Sequence, residues 1–254
     1  MGRKLMTTNE TKKHPWRICP LGSHLVKAHQ VNIPPSKKHP NGIIITRRQH
    51  CAKNPSKKDL LSFAEIQLIT TNTFSQLKDN GKLGTLSDFK EKGNKYDLLI
   101  SGWVQYWNAV LDPIEPLDPK LIKALIATES SFNSSSNKFA GKKQGYARGL
   151  MQITDETLGI LNNSKGELKD NIFRIKSNEI TDASANICAG IRWLFWKRRL
   201  ASVRLKREAS WIEGIAEYKS YLSKMISGED LDPTGMQHLK KFYDELKAIE
   251  FSEV

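Results

Sequence analysis

One glutamate near the middle of the chain follows an apolar segment and has the properties of a general acid. Residues 121–128 read Leu-Ile-Lys-Ala-Leu-Ile-Ala-Thr, and Glu129 comes directly after them. Apolar surroundings disfavour the ionised form of a carboxyl group, and a carboxyl group that stays protonated near neutral pH can donate a proton in catalysis. For an isolated acidic residue, the alternative is an ion pair with Lys or Arg at a helix end.

The residues before Glu129 predict the helix that positions it. Asp118 is a good N-cap and Pro119 suits the first helical position, so the helix is predicted to begin there. Leu121, Leu125 and Glu129 then share one face, because residues four positions apart lie on the same side of a helix. Glu129 is therefore predicted to continue a stripe that faces the core.

Most of the remaining pattern is also helical, which predicts a mainly α fold. A capping box at Ser62 and Glu65 indicates one helix start, and a short helix is expected after Gly149. Apolar periodicity predicts further helices over residues 96–110, 183–200, 208–226 and 235–249. Within residues 1–58, the run Ile-Ile-Ile-Thr over residues 43–46 is the one strand-like segment.

Four short motifs with possible functional residues occur in order between residues 118 and 225. They are Glu129-Ser130, then Gly149-Leu150-Met151-Gln152 followed by Ile153-Thr154, then Asn186-Ile187 with Gly190 and Trp193-Leu194, and finally Glu217-Tyr218-Lys219-Ser220-Tyr221. In this order and spacing they resemble the lytic transglycosylases with a goose-type lysozyme fold, which cleave peptidoglycan. The fourth motif departs from the family pattern Ala-Tyr-Asn-Ala-Gly, since Lys219 and Tyr221 stand where the family has Asn and Gly.

The resemblance implies a lysozyme-like helical catalytic domain and a role for each matching residue. Glu129 would be the catalytic acid and base. The substrate-binding residues would be Ser130 and Gln152 as ligands of the sugar or its N-acetyl group, Met151 as a wall of the sugar subsite, Asn186, and Tyr218, which orients the carboxyl group. Without the resemblance, Tyr218 is interpreted as a core aromatic residue and Gln152 as an ordinary polar residue. Because Lys219 departs from the family motif, the family's substrate contacts on that side of the site cannot all be transferred to this chain.

The loop that follows Glu129 bears on the mechanism. Between Ser130 and Thr154 there is no Asp or Glu, and Asp155 is the first acid after Glu129. Most glycosidases use two carboxylates that flank the bond. The absence of a second carboxylate from this loop favours the transglycosylase route, in which a single Glu acts and the product is 1,6-anhydro-N-acetylmuramic acid. The alternatives are a hydrolytic lysozyme, in which Asp155 or a distant acid positions water, and a non-catalytic glycan-binding or assembly module.

Charge divides the chain into a basic head and a nearly neutral body. The chain has 40 Lys and Arg and 27 Asp and Glu; residues 1–58 contain 13 of the bases but only Glu10 among the acids. We therefore predict a basic head over residues 1–58, a helical connector over 59–115 that begins the catalytic domain, and the transglycosylase-like domain over 116–254. A basic segment of this kind favours acidic partners.

The head also contains most of the histidines and two of the three cysteines, which suggests a metal site. A structural zinc ion is one possibility, with Cys19, His24, His29, His50 and Cys51 as candidate ligands, although their spacings match no common zinc-finger pattern. A Cys19–Cys51 disulfide and solvated histidines are alternatives. Docking of an acidic partner is favoured over zinc, through the cations Arg17, Lys27, Lys37, Lys38, Arg47 and Arg48. Nucleic acid fits poorly, since Trp16 is the only aromatic residue in the head. Cys188 is predicted to be a buried thiol.

The place where the protein acts is inferred from its expected substrate and not from a targeting segment. No apolar run approaches the roughly 18 residues of a membrane helix, and the basic N-terminal residues are not followed by the apolar segment of a secretory signal. Peptidoglycan lies outside the cytoplasmic membrane, so we expect delivery to the periplasm by a phage, conjugation or type VI-like secretion machine. An acidic inhibitor protein in the producer would be a further partner. Catalysis by Glu129 needs no cofactor.

Overall fold

The structure is a computed structural model and describes residues 16–20, 22–54, 59–77, 81–229 and 233–249. Helices dominate the described part of the chain after residue 62, as the apolar periodicity predicts. They are α1 (Phe63–Asn72), α2 (Asp97–Leu111), α3 (Pro119–Ser130), α4 (Asp155–Leu161), α5 (Ala183–Leu205), α6 (Trp211–Tyr218), α7 (Leu222–Ser227) and α8 (His238–Ala248). None of these described helices is both long and apolar enough to cross a membrane.

The helix boundaries agree with the sequence where local capping residues set them. The predicted capping box of Ser62 and Glu65 is present at the start of α1. Asp118 caps α3 by accepting a hydrogen bond from the backbone N–H of Lys120, and Pro119 is the first residue of that helix. Predictions based on local sequence are therefore confirmed at these positions.

The prediction of one helix over residues 208–226 is wrong. The chain forms α6 and α7, and Ser220 between them has a left-handed backbone with φ 63°. The backbone N–H of Tyr221 donates to the carbonyl of Ala216 across this turn at 2.7 Å. Apolar periodicity continues through the turn, but a residue in this conformation ends an α-helix.

The hydrophobic core lies between α5 and the helices around it. Helix α5 packs against α1, α2, α4 and α6, while α3 packs against α2 and α8. Ile122, Leu125 and Ile126 of α3 and Ile187 and Ile191 of α5 are fully buried. Cys188 also lies in this core as a free buried thiol, as predicted, and burial raises its pKa well above the usual value.

The strands form four separate pairs rather than a continuous sheet. The pairs are β1 (Ser23–Val26) with β4 (His50–Lys53), β2 (His29–Ile33) with β3 (Ile43–Arg47), β5 (Asp59–Ser62) with β8 (Asn171–Arg174), and β6 (Asn137–Gly141) with β7 (Gly145–Arg148). Only β5 and β8 are parallel. Strand β3 confirms the strand-like run over residues 43–46; the other described strands have only four or five residues each, too few for a clear alternating pattern.

A buried arginine attaches the described part of the head to the body, and a disulfide joins two segments within the head. Cys19 and Cys51 form a disulfide that closes the β1–β4 pair. Arg17 forms ion pairs with Asp59 and Glu65, and it also donates to the carbonyl of Leu60 at 2.7 Å. The prediction that Arg17 docks an external anion is therefore wrong, because its guanidinium group binds carboxylates of the body.

Candidate active site

Glu129 lies in the last turn of α3, at the edge of the core. Its side chain is 16% exposed, whereas the preceding residues Leu125 and Ile126 are fully buried. The helix ends immediately afterwards, where Ser131 and Phe132 have φ values of 52° and 60°. Left-handed non-glycine residues are costly and are often found at functional sites.

Lys219 forms an ion pair with Glu129. Its ammonium group donates a hydrogen bond to the Oε1 atom of Glu129 and another to the hydroxyl of Thr128 at 3.3 Å. The Lys219 side chain is 9% exposed, so both partners are largely shielded from water. The sequence identifies Lys219 as a departure from the family motif but does not predict this contact.

The segment Gly149–Gln152 forms a tight turn close to helix α5. The turn is closed by two backbone hydrogen bonds of 3.0 Å between Arg148 and Ile153. Gly149 has φ 74°, and Gln152, with φ 50°, donates from its side-chain amide to the carbonyl of Gly149 at 2.7 Å. Gln152 therefore belongs to a turn and not to a helix, and the helix expected after Gly149 begins only at Asp155.

Asn186 of α5 holds this turn in place. Its side-chain amide donates to the carbonyls of Arg148 and Ile180, both at 2.9 Å, and its oxygen accepts from the N–H of Met151 at 2.7 Å. Asn186 is 0% exposed. The polar atoms of Asn186 are therefore buried and bind the chain itself, and its predicted role in substrate binding stays a prediction.

The glycines of the motifs permit this close approach. A Cβ atom on Gly149 would lie 2.3 Å from the side-chain nitrogen of Asn186, and one on Gly190 would lie 2.4 Å from the sulfur of Met151. Both distances are far below van der Waals contact. The two glycines are therefore required by packing of the turn on α5.

Tyr218 supports the same turn from α6. Its hydroxyl donates to the carbonyl of Met151 at 2.6 Å. Burial, together with the nearby charge of Glu129, raises the pKa of the Tyr218 hydroxyl well above its usual value, so the hydroxyl remains a donor. This places Tyr218 near Glu129, as the resemblance implies, but its hydrogen bond goes to the backbone of the turn.

The other two residues implied as sugar contacts are also buried in this structure. Met151 is 0% exposed, and Ser130 is 8% exposed with its hydroxyl donating to the carbonyl of Ile126 at 3.3 Å. Met151 is packed against Gly190 of α5, and its predicted role as a wall of the sugar subsite stays a prediction. Gln152 is partly exposed.

Asp155, the first acid after Glu129, is engaged at the base of the β6–β7 hairpin. It forms an ion pair with Arg148 and accepts a hydrogen bond from the backbone N–H of Tyr146 at 2.8 Å. The Arg148 hydrogen bond, followed by that of Tyr146, lowers the pKa of Asp155 below its usual value. Asp155 is therefore a carboxylate with a local structural partner.

The five candidate zinc ligands of the head are not assembled into a metal site. Cys19 and Cys51 are joined to each other. His24 is buried and its Nδ1 is 2.7 Å from Asn54 Oδ1, whereas His29 and His50 are exposed and each contacts a backbone carbonyl of its own segment. Within the described residues, no group of three or more His, Cys, Asp or Glu side chains is arranged to hold a metal ion.

Comparison with protein families assigns the segment that contains this site. Residues 113–216 match the model of the family described as the Transglycosylase SLT domain. This segment is similar to a transglycosylase SLT domain. The predicted relationship to the lytic transglycosylases is thereby confirmed, and peptidoglycan is the substrate that the family implies. The matched segment includes Glu129, the Gly149–Gln152 turn and Asn186.

The SLT match ends two residues before Tyr218 and three before Lys219. The altered fourth motif therefore lies just outside the matched segment, although its side chains contact the site. Comparisons with curated proteins and with solved structures give no significant match.

Proposed function

We propose that the SLT domain cleaves the β-1,4 bond between N-acetylmuramic acid and N-acetylglucosamine in peptidoglycan, with Glu129 as its single acid and base. The observation that supports this most strongly is the position of Glu129. It is a partly exposed carboxyl group at the end of a buried helix, held beside the Gly149–Gln152 turn through Lys219 and Tyr218. A site of this kind provides proton transfer in a largely shielded environment.

The proposed reaction consumes no water. Protonated Glu129 donates to the leaving oxygen of N-acetylglucosamine as the bond to the muramyl anomeric carbon breaks, and the substrate's own acetamido oxygen stabilises that carbon. The Glu129 carboxylate then takes the proton of the muramyl 6-hydroxyl, whose oxygen bonds to the anomeric carbon and displaces the acetamido oxygen. The product is a 1,6-anhydro sugar, and Glu129 is protonated again. No metal or other cofactor takes part in these steps.

The ion pair with Lys219 defines the resting state of this site. In the first step Glu129 must donate a proton to the leaving oxygen, whereas in the structure its Oε1 atom accepts a hydrogen bond from the ammonium group of Lys219. The contact between Lys219 and Glu129 must therefore open as the glycan enters. A bound glycan would also cover the site and exclude bulk water from Glu129 during the reaction.

The engagement of Asp155 supports the transglycosylase over the hydrolytic lysozyme. A hydrolase needs a second group that activates water, usually a carboxylate. Asp155, the nearest acid in sequence, is bound to Arg148 and to the backbone of Tyr146. This arrangement leaves internal attack by the 6-hydroxyl as the favoured route.

A non-catalytic glycan-binding module is the second candidate function. The observation that favours it is the Lys219–Glu129 ion pair, because a carboxylate neutralised by a fixed ammonium group cannot act as an acid until the pair opens. In that case the SLT domain would bind glycan strands without cutting them.

Digestion of purified sacculi separates these functions. Wild type is expected to release muropeptides that end in 1,6-anhydro-N-acetylmuramic acid, and Glu129→Gln is expected to lose at least about 99% of this release, since one acid/base group contributes roughly 10²–10⁴ in rate. Glu91→Gln, at an exposed carboxylate remote in sequence, is the matched control and should behave as wild type. Reducing-end products would indicate a hydrolase, and an absence of wild-type products would favour the binding module.

We also propose that the basic head serves in delivery of the protein to the periplasm. The described head residues 22–54 contain no Asp or Glu, and the β2–β3 pair is exposed along most of its length. A secretion or phage-type machine, or an acidic inhibitor protein, would bind this surface through charge complementarity. Recovery of the protein from the periplasm of a heterologous host without any such machine would contradict this delivery route.

A further inference from the structure

The β6–β7 hairpin presents two large aromatic side chains to solvent. Phe139 and Tyr146 are cross-strand partners and are 64% and 46% exposed. Their ring centroids are 5.5 Å apart with an interplanar angle of 64°. Aromatic residues usually contribute to burial, so an exposed pair of this kind indicates an interaction surface.

Tyr146 is held firmly in position. Its backbone N–H donates to Asp155 Oδ2 at 2.8 Å, and the guanidinium group of Arg148 lies 5.6 Å from the centroid of its ring. Arg148 is in turn paired with Asp155. A surface whose side chains are already ordered loses less conformational entropy when a ligand binds.

The hairpin is continuous with the candidate active site. Strand β7 ends at Arg148, directly before the Gly149–Gln152 turn, and the backbone N–H of Gly149 donates to the carbonyl of Ser136 at 2.8 Å, next to the start of β6. A glycan strand that extends beyond the cleaved bond on this side would therefore reach the hairpin.

A polar cavity of about 640 Å³ lies at the base of the hairpin. It is shared by Asn137 and Arg148 of the two strands, and its other walls include Ser134, Ser177, Asn178 and Thr181. These hydroxyl, amide and guanidinium groups are the ones that hydrogen-bond to sugar hydroxyls, acetamido groups and carboxylates.

The charge of the hairpin is complementary to the peptide stems of peptidoglycan. Lys138, Lys142 and Lys143 are exposed on it, and residues 130–154 contain no acid. Lys143 is partly engaged by Glu156 at 3.2 Å. Peptide stems contain free carboxylates, so a basic rim beside an aromatic pair matches a sugar chain with acidic branches.

We propose that the β6–β7 hairpin is a second glycan-binding surface that holds peptidoglycan beyond the bond to be cut. The apolar C–H faces of the sugars contact Phe139 and Tyr146, and the carboxylates of the peptide stem contact Lys138 and Lys142. The identity of the ligand rests on the proposed function. The inference deepens that function by assigning residues that determine a preference for long strands with intact peptide stems.

Binding by the Glu129→Gln protein tests the surface without turnover. Two ligands are used: peptidoglycan strands with their peptide stems, and the same strands after an amidase has removed the stems. Adding F139A with Y146A is expected to raise the apparent Kd about tenfold for both ligands, because the sugar contact is common to them. Adding K138Q with K142Q is expected to raise it about threefold for the stem-bearing strands alone, with the difference lost at high salt.

Ile114→Ala is the matched control, since Ile114 is 88% exposed and lies outside the hairpin. F139A alone is the second variant, because Phe139 is the more exposed ring and its removal leaves the contact between the Tyr146 ring and Arg148 in place. The proposal is overturned if F139A and the aromatic double variant bind both ligands as tightly as the Glu129→Gln parent.

Failure of the surface and failure of the proposed function give different results. If wild type releases anhydro-muropeptides but the hairpin variants bind normally, only the surface is excluded. If wild type cleaves nothing but the hairpin variants bind more weakly than their parent, the surface stands and the SLT domain is a binding module.

Discussion

Lys219 donates a hydrogen bond from its ammonium group to the carboxylate of Glu129, although 90 residues separate them in the chain. Lys219 stands where the family motif has Asn. The hydroxyl of Tyr218, one residue earlier, donates to the carbonyl of Met151 in the adjacent turn. Burial and the charge of Glu129 raise the pKa of this hydroxyl. The residue that departs from the family pattern is thus in direct contact with the proposed catalytic acid, which makes it the most informative position to change.

Replacement of Lys219 by Asn is expected to increase activity at neutral pH. The variant removes the ammonium group that is bonded to the Glu129 carboxyl group, so the glycan no longer has to displace it, while the Tyr218 hydroxyl keeps its hydrogen bond to Met151. We expect kcat/KM for solubilised glycan strands to rise about 3–10-fold at pH 7. The measurement is a pH–rate profile of both proteins.

Lys224→Asn, at an exposed lysine of α7, serves as the control for Lys219→Asn and should leave the profile unchanged. A fall in kcat/KM of Lys219→Asn at every pH would show that Lys219 contributes to catalysis or binding instead of restraining Glu129.

Asn186→Ala is expected to destabilise the fold as well as the site. The substitution removes the partners of two carbonyls and one N–H group around the Gly149–Gln152 turn, of which the Ile180 carbonyl and the Met151 N–H are buried and the Arg148 carbonyl is partly buried. Unsatisfied buried groups of this kind cost about 1–3 kcal/mol each, and partial relaxation brings the expected loss to about 3 kcal/mol. Urea unfolding measures it, with Asn32→Ala, at an exposed strand position, as the control. A loss below about 1 kcal/mol would contradict the supporting role of Asn186.

Asp155→Asn distinguishes a structural carboxylate from a catalytic one. The lowered pKa of Asp155 means that its contribution to stability is complete above its ordinary pKa and is lost as the pH falls through the lower, folded-state pKa. Asp155 is 39% exposed, so the contribution is expected to be only about 0.5 kcal/mol at pH 7. Chemical unfolding at pH 7 and at pH 3 should show the difference from wild type shrinking at the lower pH.

Products of the Asp155→Asn protein provide the second readout. Anhydro ends are expected to remain the product. Any loss of rate is expected to come from disturbed structure at the base of the hairpin, where Asp155 is bound. Disappearance of cleavage with an otherwise folded protein would mean that Asp155 takes part in the chemistry.

Reduction of the Cys19–Cys51 disulfide is expected to loosen the head but not the SLT domain. The bond closes a segment with a sequence separation of 32 residues, and a cross-link over a loop of this size stabilises the folded state by about 4 kcal/mol. A thiol count with and without a reductant should give two additional reactive thiols, because Cys188 is buried. Limited proteolysis should then cut residues 22–54 first; equal protease resistance of the reduced and oxidised proteins would contradict this account.

Local sequence signals predict the elements that position Glu129 but not the contacts around it. Helix α3 is predictable because Asp118, Pro119 and the apolar stripe lie within one short segment. The Lys219 ion pair and the Asn186 hydrogen bonds join residues 90 and 35 positions apart, and no periodicity encodes such pairs. The buried positions of Met151 and Asn186 have the same origin, since burial of a motif residue depends on the helix against which its turn packs.

The side-chain contacts of the head are likewise not predictable from local sequence. Its histidines and cysteines suggest a metal site by composition, and only the three-dimensional arrangement shows that Cys19 and Cys51 are paired with each other. Arg17 likewise is a cation in a basic segment, which suggests docking of an external anion. Its partners are instead Asp59 and Glu65, more than 40 residues away in the body.

The most direct test of the central claim is digestion of sacculi in water enriched in ¹⁸O. If Glu129 closes the 1,6-anhydro ring by activating the muramyl 6-hydroxyl, the new muramyl ends contain no ¹⁸O and are 18 mass units lighter than hydrolytic ends in ordinary water. Mass spectrometry of the released muropeptides, with Glu129→Gln as the inactive reference, gives the answer in one experiment. New muramyl ends that are reducing and contain one ¹⁸O atom per cleavage would contradict the single-carboxylate mechanism.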